Sequence, residues 1–374
     1  MQKYVMRERL GEGIKKWSDL FVCIILLGGL LLFSRSPAEN VRSALALCYR
    51  TVIPAVFPFM VISAFLIRTG AHRSLGLLLG RPVKAIFGCS KSSVSAVILG
   101  FLCGFPIGAS SAVALYDNGE ISKRELERLL TFINNPGAAF VIGGVGISIF
   151  NSAEVGRILY FSVLISALAA GGVSRLFYRR EHTAPQFRAT VESTKSTSVA
   201  SALTSAISDS AANMLTVSAC VIFFSVPVGI IAEMFEPLGF TPTIRALLSS
   251  FFEISGGCGA SGAIESPVRA LMMCAFACSW SGISVHLQVF SVCRGRDISF
   301  APYILSKLLQ GLFSPLLVFF LSKGASELSF ADGGEMISAS PLAQKTCFVS
   351  FAFAALFFLI KRRKNGNTRS QNVI

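Results

Sequence analysis

Glu253 is the one carboxylic acid in the core of the apolar stretch Leu248-Ser-Ser-Phe-Phe-Glu-Ile-Ser-Gly-Gly257. At Ser281, 28 positions later, a second apolar stretch is broken by small polar residues, Cys278-Ser-Trp-Ser-Gly-Ile-Ser-Val-His286. The same grammar occurs earlier in the chain. Val97-Ile-Leu-Gly-Phe-Leu-Cys-Gly-Phe-Pro-Ile-Gly108 is followed by Phe132-Ile-Asn-Asn-Pro-Gly-Ala-Ala-Phe140, with 29 positions from Pro106 to Asn135. A carboxyl group at membrane depth can take up a proton, hold a coupling cation or hydrogen-bond a solute, which makes it a functional candidate. The competing reading of Glu253 is a structural acid tied to backbone N–H groups of its own hairpin. His286, near Ser284 and Gln288, carries an imidazole that titrates near neutral pH and reads equally as a packed core histidine. The amides of Asn134 and Asn135 suit a carboxylate or a ring nitrogen, and equally the capping of two half-helices.

Paired interruptions in corresponding places of two halves point to a transporter's binding site. Unpaired backbone groups at membrane depth cost several kcal/mol each, so such breaks persist only where protein or a water-filled cavity surrounds them. The candidate substrate-binding residues are therefore Gly104, Phe105, Pro106, Gly108, Asn134, Asn135 and Gly137 in the first half. In the second half they are Glu253, Ser255, Gly256, Ser281, Gly282, Ser284, His286 and Gln288. Half-helix N-termini offer positive dipole ends to anionic groups. A bound anion would be repelled by an ionised Glu253, a conflict that proton loading of the acid removes.

Other chemistries find little support. No Ser/His/Asp triad, HExxH or Walker motif occurs, so no catalytic residue, cofactor or enzymatic activity is expected. Gly257-Cys-Gly-Ala-Ser-Gly262 fits G-x-G-x-x-G but lacks the strand and βαβ setting that give the pattern meaning; close packing of small residues explains it in a membrane hairpin. Gly143-Gly-Val-Gly146 reads the same way. The ten cysteines lie mostly inside apolar segments, where the thiol behaves as a small hydrophobe. Cys274 and Cys278 share a helix face, yet no further ligand stands at metal-binding spacing, so packing is expected and no metal site. Asp209 and Asn213, one turn apart, read as facing either a cavity or solvent.

These residues must be held by membrane-spanning helices. The chain has 374 residues, 53% hydrophobic and 14% charged, against about 25% charged in a soluble domain. Mean hydropathy is +0.64. The net charge of +14 comes in short basic clusters between apolar segments, the pattern that orients membrane proteins rather than one that binds nucleic acid. The expected fold is all-α and polytopic, with about eight transmembrane helices and two re-entrant hairpins. Residues 1–50 hold a basic N-terminus and a first span near 18–33, with no cleavable signal. Residues 51–178 form a first repeat: a span at 51–68, a hairpin at 92–116, a broken helix at 129–150 and a span at 157–178. Residues 179–213 are a polar linker and an amphipathic segment. A second repeat covers 214–321, with a span at 214–234, a hairpin at 243–266, a broken helix at 268–292 and a span at 301–321. Residues 322–374 hold a loop, a last span at 346–360 and a basic tail. The Lys/Arg distribution puts both termini and the segments 68–91, 117–128, 179–200 and 293–299 in the cytoplasm. The arginines of 34–50 are the exception. With this threading the two hairpins enter from opposite sides, as inverted repeats.

The residues also carry a resemblance. Gly104-Phe-Pro-Ile-Gly108, Tyr116-Asp-Asn-Gly-Glu-Ile-Ser-Lys123, Phe132-Ile-Asn-Asn135, Phe252-Glu-Ile254 and Gly282-Ile-Ser-Val-His-Leu-Gln288 resemble the sporulation integral membrane proteins of the nucleoside-recognition (gate) domain superfamily. Within it the chain looks most like the stage V group that moves dipicolinic acid across the outer forespore membrane. That superfamily is similar to concentrative nucleoside transporters in its order of hairpins and spans. Pro136 departs from the pattern, in which a small hydroxyl residue follows the two asparagines. The resemblance implies a transporter of a small organic anion, dipicolinate, set in the outer forespore membrane or the cell membrane, with a coupling proton or cation and an oligomeric assembly both left open. The alternatives are a permease for a nucleoside or another small solute, and a non-transporting membrane scaffold of spore maturation.

Overall fold

The computed structural model describes residues 20–33, 35–71, 88–177, 198–234 and 239–323, together with Trp17 and scattered positions between 72 and 87. The expected last span at 346–360, most of the 179–200 linker and both chain ends lie outside the described residues. The fold is helical throughout the described residues. An opening helix, α1 (Leu20–Leu32), is followed after a bend of 99° by a helical stretch over Pro37–Arg50. Helix α2 (Arg35–Leu47) passes through a π-helical turn into α3 (Ile53–Arg68). The three arginines of 34–50 thus lie on, or just beyond, a helix set across the direction of α1, not in a plain loop.

Two units follow, each a leading helix, a pair of short helices, an interrupted helix and a closing long helix. In the first, α3 precedes α4 (Val94–Cys103) and α5 (Ile107–Asp117), then α6 (Lys123–Ile133) and α7 (Ala139–Phe150), then α8 (Ala153–Phe177). In the second, α9 (Val199–Met234) precedes α10 (Pro242–Phe252) and α11 (Ile254–Ser261), then α12 (Pro267–Trp280) and α13 (Gly282–Val292), then α14 (Ala301–Lys323).

Four stretches are long and apolar enough to cross a membrane: Ala153–Arg175, Val199–Met234, Pro267–Val292 and Ala301–Ser322. The bent pair at the start makes a fifth if counted as one span. The protein is a multi-pass membrane protein. The remaining apolar elements are shorter because the chain is interrupted. Asn134 and Asn135 leave helical geometry and split the expected 129–150 span, while Pro54 and Pro58 sit in a 16-residue α3. Residues 199–213 continue into 214–234 as one helix instead of a separate amphipathic piece.

Small residues let each short pair close on itself. A Cβ on Gly108 would stand 2.9 Å from the Cα of Gly100, and one on Gly257 would stand 2.5 Å from the Cα of Ser250. The tips then dock on the breaks. Gly104, at φ +80°, bridges to Pro136, and the Phe105 N–H donates to the Asn135 carbonyl at 2.9 Å. Gly282, at φ +78°, lies so close to Glu253 that a Cβ would come within 2.9 Å of its backbone. The preceding Ser281 takes a left-handed φ of +74°, a conformation costly for a non-glycine residue and one that ends α12.

One apolar core joins the units. Leu99, Ile107, Phe140 and Val141 of the first pack in the same cluster as Ile254, Cys258, Cys278 and Val285 of the second. Cys274 and Cys278 lie against Cys258, with sulfurs of Cys258 and Cys278 3.8 Å apart. The outer faces of the long helices are apolar and open, Leu215 and Phe223 on α9 and Leu312 and Phe320 on α14, as surfaces meeting lipid must be.

Polar contacts gather the ends of the first hairpin and of 267–292 at one end of the molecule. Arg296 pairs with Asp117, Lys123 donates to Asp297 at 2.8 Å, and the Ser299 N–H donates to Glu127 at 2.8 Å. Lys123 holds the exposed Asp297 carboxyl below its ordinary range. Ser122 caps α6 by accepting from the Glu125 N–H, but the Glu125 carboxylate does not reach back to complete a capping box. It accepts instead from Ser90 N–H and Ser93 Oγ at the entrance to α4, tying α6 to the base of the hairpin.

The two left-handed positions give opposite predictions. Gly104→Ala adds a Cβ 2.2 Å from the Gly137 nitrogen in a conformation alanine resists, so a loss of about 3 kcal/mol or more is expected. Ser281→Gly relieves the left-handed strain and should be neutral or stabilising by up to about 1 kcal/mol. Thermal unfolding in detergent measures both; a Gly104→Ala variant as stable as the parent would mean the tip does not dock on the break.

Candidate functional site

Glu253 interrupts the second hairpin. Its backbone is extended, and Oε2 accepts the Gly256 N–H at 2.6 Å, so the side chain caps the first turn of α11. That interaction is the one expected of a structural acid. The other oxygen, Oε1, is buried with no hydrogen-bond partner in the protein, so half of the carboxyl group is uncommitted. Trp280 braces the hairpin from the second break: its indole N–H donates to the Phe251 carbonyl at 3.1 Å while the two rings stack.

The asparagines of the first break have separate tasks. Asn135 donates through Nδ2 to the Phe132 carbonyl at 2.6 Å, capping the end of α6. Asn134 donates to the Tyr303 hydroxyl at 3.2 Å, and that hydroxyl lies 2.9 Å from His286 Nδ1. His286 is thus buried in a polar chain from the first break through α14 to α13. Gln288 donates to Ser284 Oγ at 3.4 Å on its own helix.

Sequence reasoning placed the span at 301–321 but missed the polar face of α14. Its inward face carries Tyr303, Ser306, Lys307, Gln310 and Ser314, while Leu305, Leu308, Leu309, Leu312 and Leu316 face outward. Ser306 and Gln310 both donate to the Thr131 carbonyl, at 2.7 and 2.8 Å, taking up a carbonyl in the last turn of α6. Lys307, 0% exposed, donates to Asn135 Oδ1 at 3.0 Å. The spacing of Tyr303, Lys307, Gln310 and Ser314 keeps them on one helical face. A lone lysine in an apolar span was the available signal.

A small cavity of about 30 Å³ lies where the pieces meet. Phe105 comes from the first tip, Pro136 and Gly137 from the first break, Glu253 and Ser255 from the second tip, and Val285 and Gln288 from beyond the second break. Helix α9 closes it with Val217 and Val221. Among the sequence candidates, Phe105, Gly137, Glu253, Ser255 and Gln288 line it. Gly104, Gly108, Asn134, Asn135, Gly256, Ser281, Gly282, Ser284 and His286 do not; they form the packed support around it. Several buried polar atoms in and beside this region have no protein partner: Asn134 Oδ1, Glu253 Oε1, Ser279 Oγ, His286 Nε2 and Gln288 Oε1. Native proteins leave few such atoms, which makes this region the candidate for contact with a polar solute.

Pro106 faces a different space, a cleft of about 250 Å³ with Ser63, Ile107, Ser110, Ser111, Ser210 and Asn213. Asp209 lines the cleft and pairs with Arg68 there. Phe105 and Pro106, adjacent in the first tip, therefore stand between the cavity and the cleft. Among the described residues, no group of His, Cys, Asp and Glu has metal-binding geometry.

No protein-family model matches the chain. Two solved structures of CNTnw align with it at TM-scores below 0.5, and nothing further rests on them. One is outward-facing, 15% identical, with a TM-score of 0.45 over 84% of this chain and 87% of that one. The other is inward-facing and substrate-bound, 14% identical, with a TM-score of 0.44 over 83% and 85%. Among curated proteins the chain is similar to the sporulation integral membrane protein YlbJ of Bacillus subtilis (strain 168), with 26% identity over 315 residues, 76% of this chain and 77% of that protein.

Proposed function

We propose that this chain is a non-enzymatic membrane transporter of a small organic anion, working by alternating access between inverted units. The observation that carries the reading is the cavity at which both hairpin tips and both broken helices converge, with uncommitted polar atoms of Glu253 and Gln288 at its wall or beside it. A scaffold has no need of two costly helix breaks aimed at one point. The inverted arrangement draws support from the ion pairs: the base of the first hairpin sits with 293–299, while the second hairpin precedes a 26-residue stretch that is long enough to cross the bilayer and leads to that same end.

At about 30 Å³ the cavity has room for one water rather than a solute. The conformation is occluded, and a tip must withdraw for a ring-sized molecule to enter. Phe105-Pro106 is the partition toward the larger cleft, which makes the first tip a gate on that side. The substrate is dipicolinate, by the resemblance of the Gly104–Gly108, Asn134-Asn135 and Gly282–Gln288 motifs and the similarity to a sporulation membrane protein. The corresponding location is the outer forespore membrane, with the basic segments in the cytoplasm. The candidate residues of both breaks bind the solute or shape its site, and Glu253 is the group whose protonation or pairing admits an anion.

Uptake of dipicolinate into proteoliposomes, with nucleosides as a parallel arm, tests this directly. The parent should transport dipicolinate and be stabilised thermally by it. Glu253→Gln should retain binding but slow net uptake, and Glu253→Ala should lose at least about tenfold in uptake together with about 1 kcal/mol of capping. Parent-like uptake by Glu253→Ala would remove Glu253 from the site; stabilisation by nucleosides alone would transfer the substrate to that class.

A further inference from the structure

Lys307 lies where oxygens from both units converge. Its side-chain nitrogen is 3.0 Å from Asn135 Oδ1, at the break of the first unit, and 3.4 Å from the Ser279 carbonyl, in the last turn of α12 before the break of the second. The side chain is completely buried, and neither hydrogen-bond partner is a carboxylate. An amide oxygen and the carbonyl end of a half-helix both carry partial negative charge. Unwound backbone and half-helix C-terminal ends are the groups with which membrane proteins hold a monovalent cation. Here helix α14 brings the side-chain amine of Lys307 to them. The flanking turns keep it in place: Tyr303 is anchored by Asn134 and His286, and Gln310 by Thr131.

We propose that Lys307 is a tethered cation: it links the two broken helices and occupies the place a free sodium-like coupling ion would take, so that the protein needs no such ion. The claim about coupling rests on the transporter reading; the claim about the cation site does not. The Asn135 amide oxygen and the α12 carbonyl end belong to different units, and the lysine nitrogen bridges them. Lys307 is a positioning residue, acting on the site through Asn135, which is adjacent to the cavity-lining Pro136.

The test uses the purified full chain in detergent, unfolded thermally in sodium, lithium, potassium or choline chloride at one ionic strength, with no substrate present. The parent should unfold at the same temperature in all four salts. Lys307→Ala exposes the oxygens, so it should unfold earlier in choline and regain at least about 3 °C, saturably, in sodium or lithium. Adding Asn135→Ala should abolish that recovery. A second variant, Lys307→Ser, leaves a small hydroxyl beside the vacated space and should show the same recovery; the parent's indifference to sodium is read without any variant, so the test holds even where neither variant folds. The proposal is overturned by a saturable sodium-specific gain in the parent, or by Lys307→Ala or Lys307→Ser that folds without cation-specific recovery. Because no solute is involved, failure of dipicolinate transport leaves these outcomes unchanged, and equal dipicolinate uptake in sodium and choline is the matching result for the parent.

Discussion

Backbone that leaves a helix inside a membrane must find its hydrogen bonds within the protein, because lipid supplies none. The fold is arranged around meeting that demand twice. At the first break the Asn135 carbonyl takes the Phe105 N–H from the opposing tip, while the carbonyls of Phe132 and Thr131 are taken by Asn135, Ser306 and Gln310. At the second break the chain turns through Ser281 and Gly282 against the backbone of Glu253, which itself caps α11. Each hairpin is thus the partner that makes its neighbouring break affordable. The cavity lies where the two tips and the two breaks meet.

This coupling explains why the central residues divide into wall and support. A few side chains reach the cavity, while Asn134, Asn135, Ser281, Gly282 and His286 spend their polarity or small size on holding the breaks together. Helix α14 ties the units by a polar stripe running along an otherwise lipid-facing span. Its hydrogen bonds reach the first break from the second unit through Tyr303, Lys307 and Gln310.

Much of this organisation was legible in the residues, because glycine, proline and paired small polar residues inside apolar runs have few uses other than breaks and turns. The stretches around Gly104-Phe-Pro106, Asn134-Asn135, Glu253 and Ser281-Gly282 could be singled out for that reason. Lys307 and its stripe lie away from both breaks in the sequence, and a polar face on a continuous helix shows only when residues are counted at three and four positions apart. The continuity of 199–234 was hidden by its Ser/Ala-rich start, whose low hydropathy resembles an interfacial segment although nothing in it stops a helix. The roles of the two asparagines were not separable from sequence, since capping and solute binding ask for the same amide. Distances alone divide them, giving Asn135 to its own helix end and to Lys307, and Asn134 to Tyr303.

The central claim is that the cavity beside Glu253 and Ser255 opens alternately to the two sides of the membrane. Site-specific labelling of Ser255→Cys, in a chain whose ten native cysteines are replaced, measures this most directly in vesicles of known orientation. With an impermeant thiol reagent applied to one side at a time, the account predicts labelling from each side, at rates that dipicolinate changes in opposite directions. Protection from both sides under all conditions, or access from a single side regardless of solute, would contradict it.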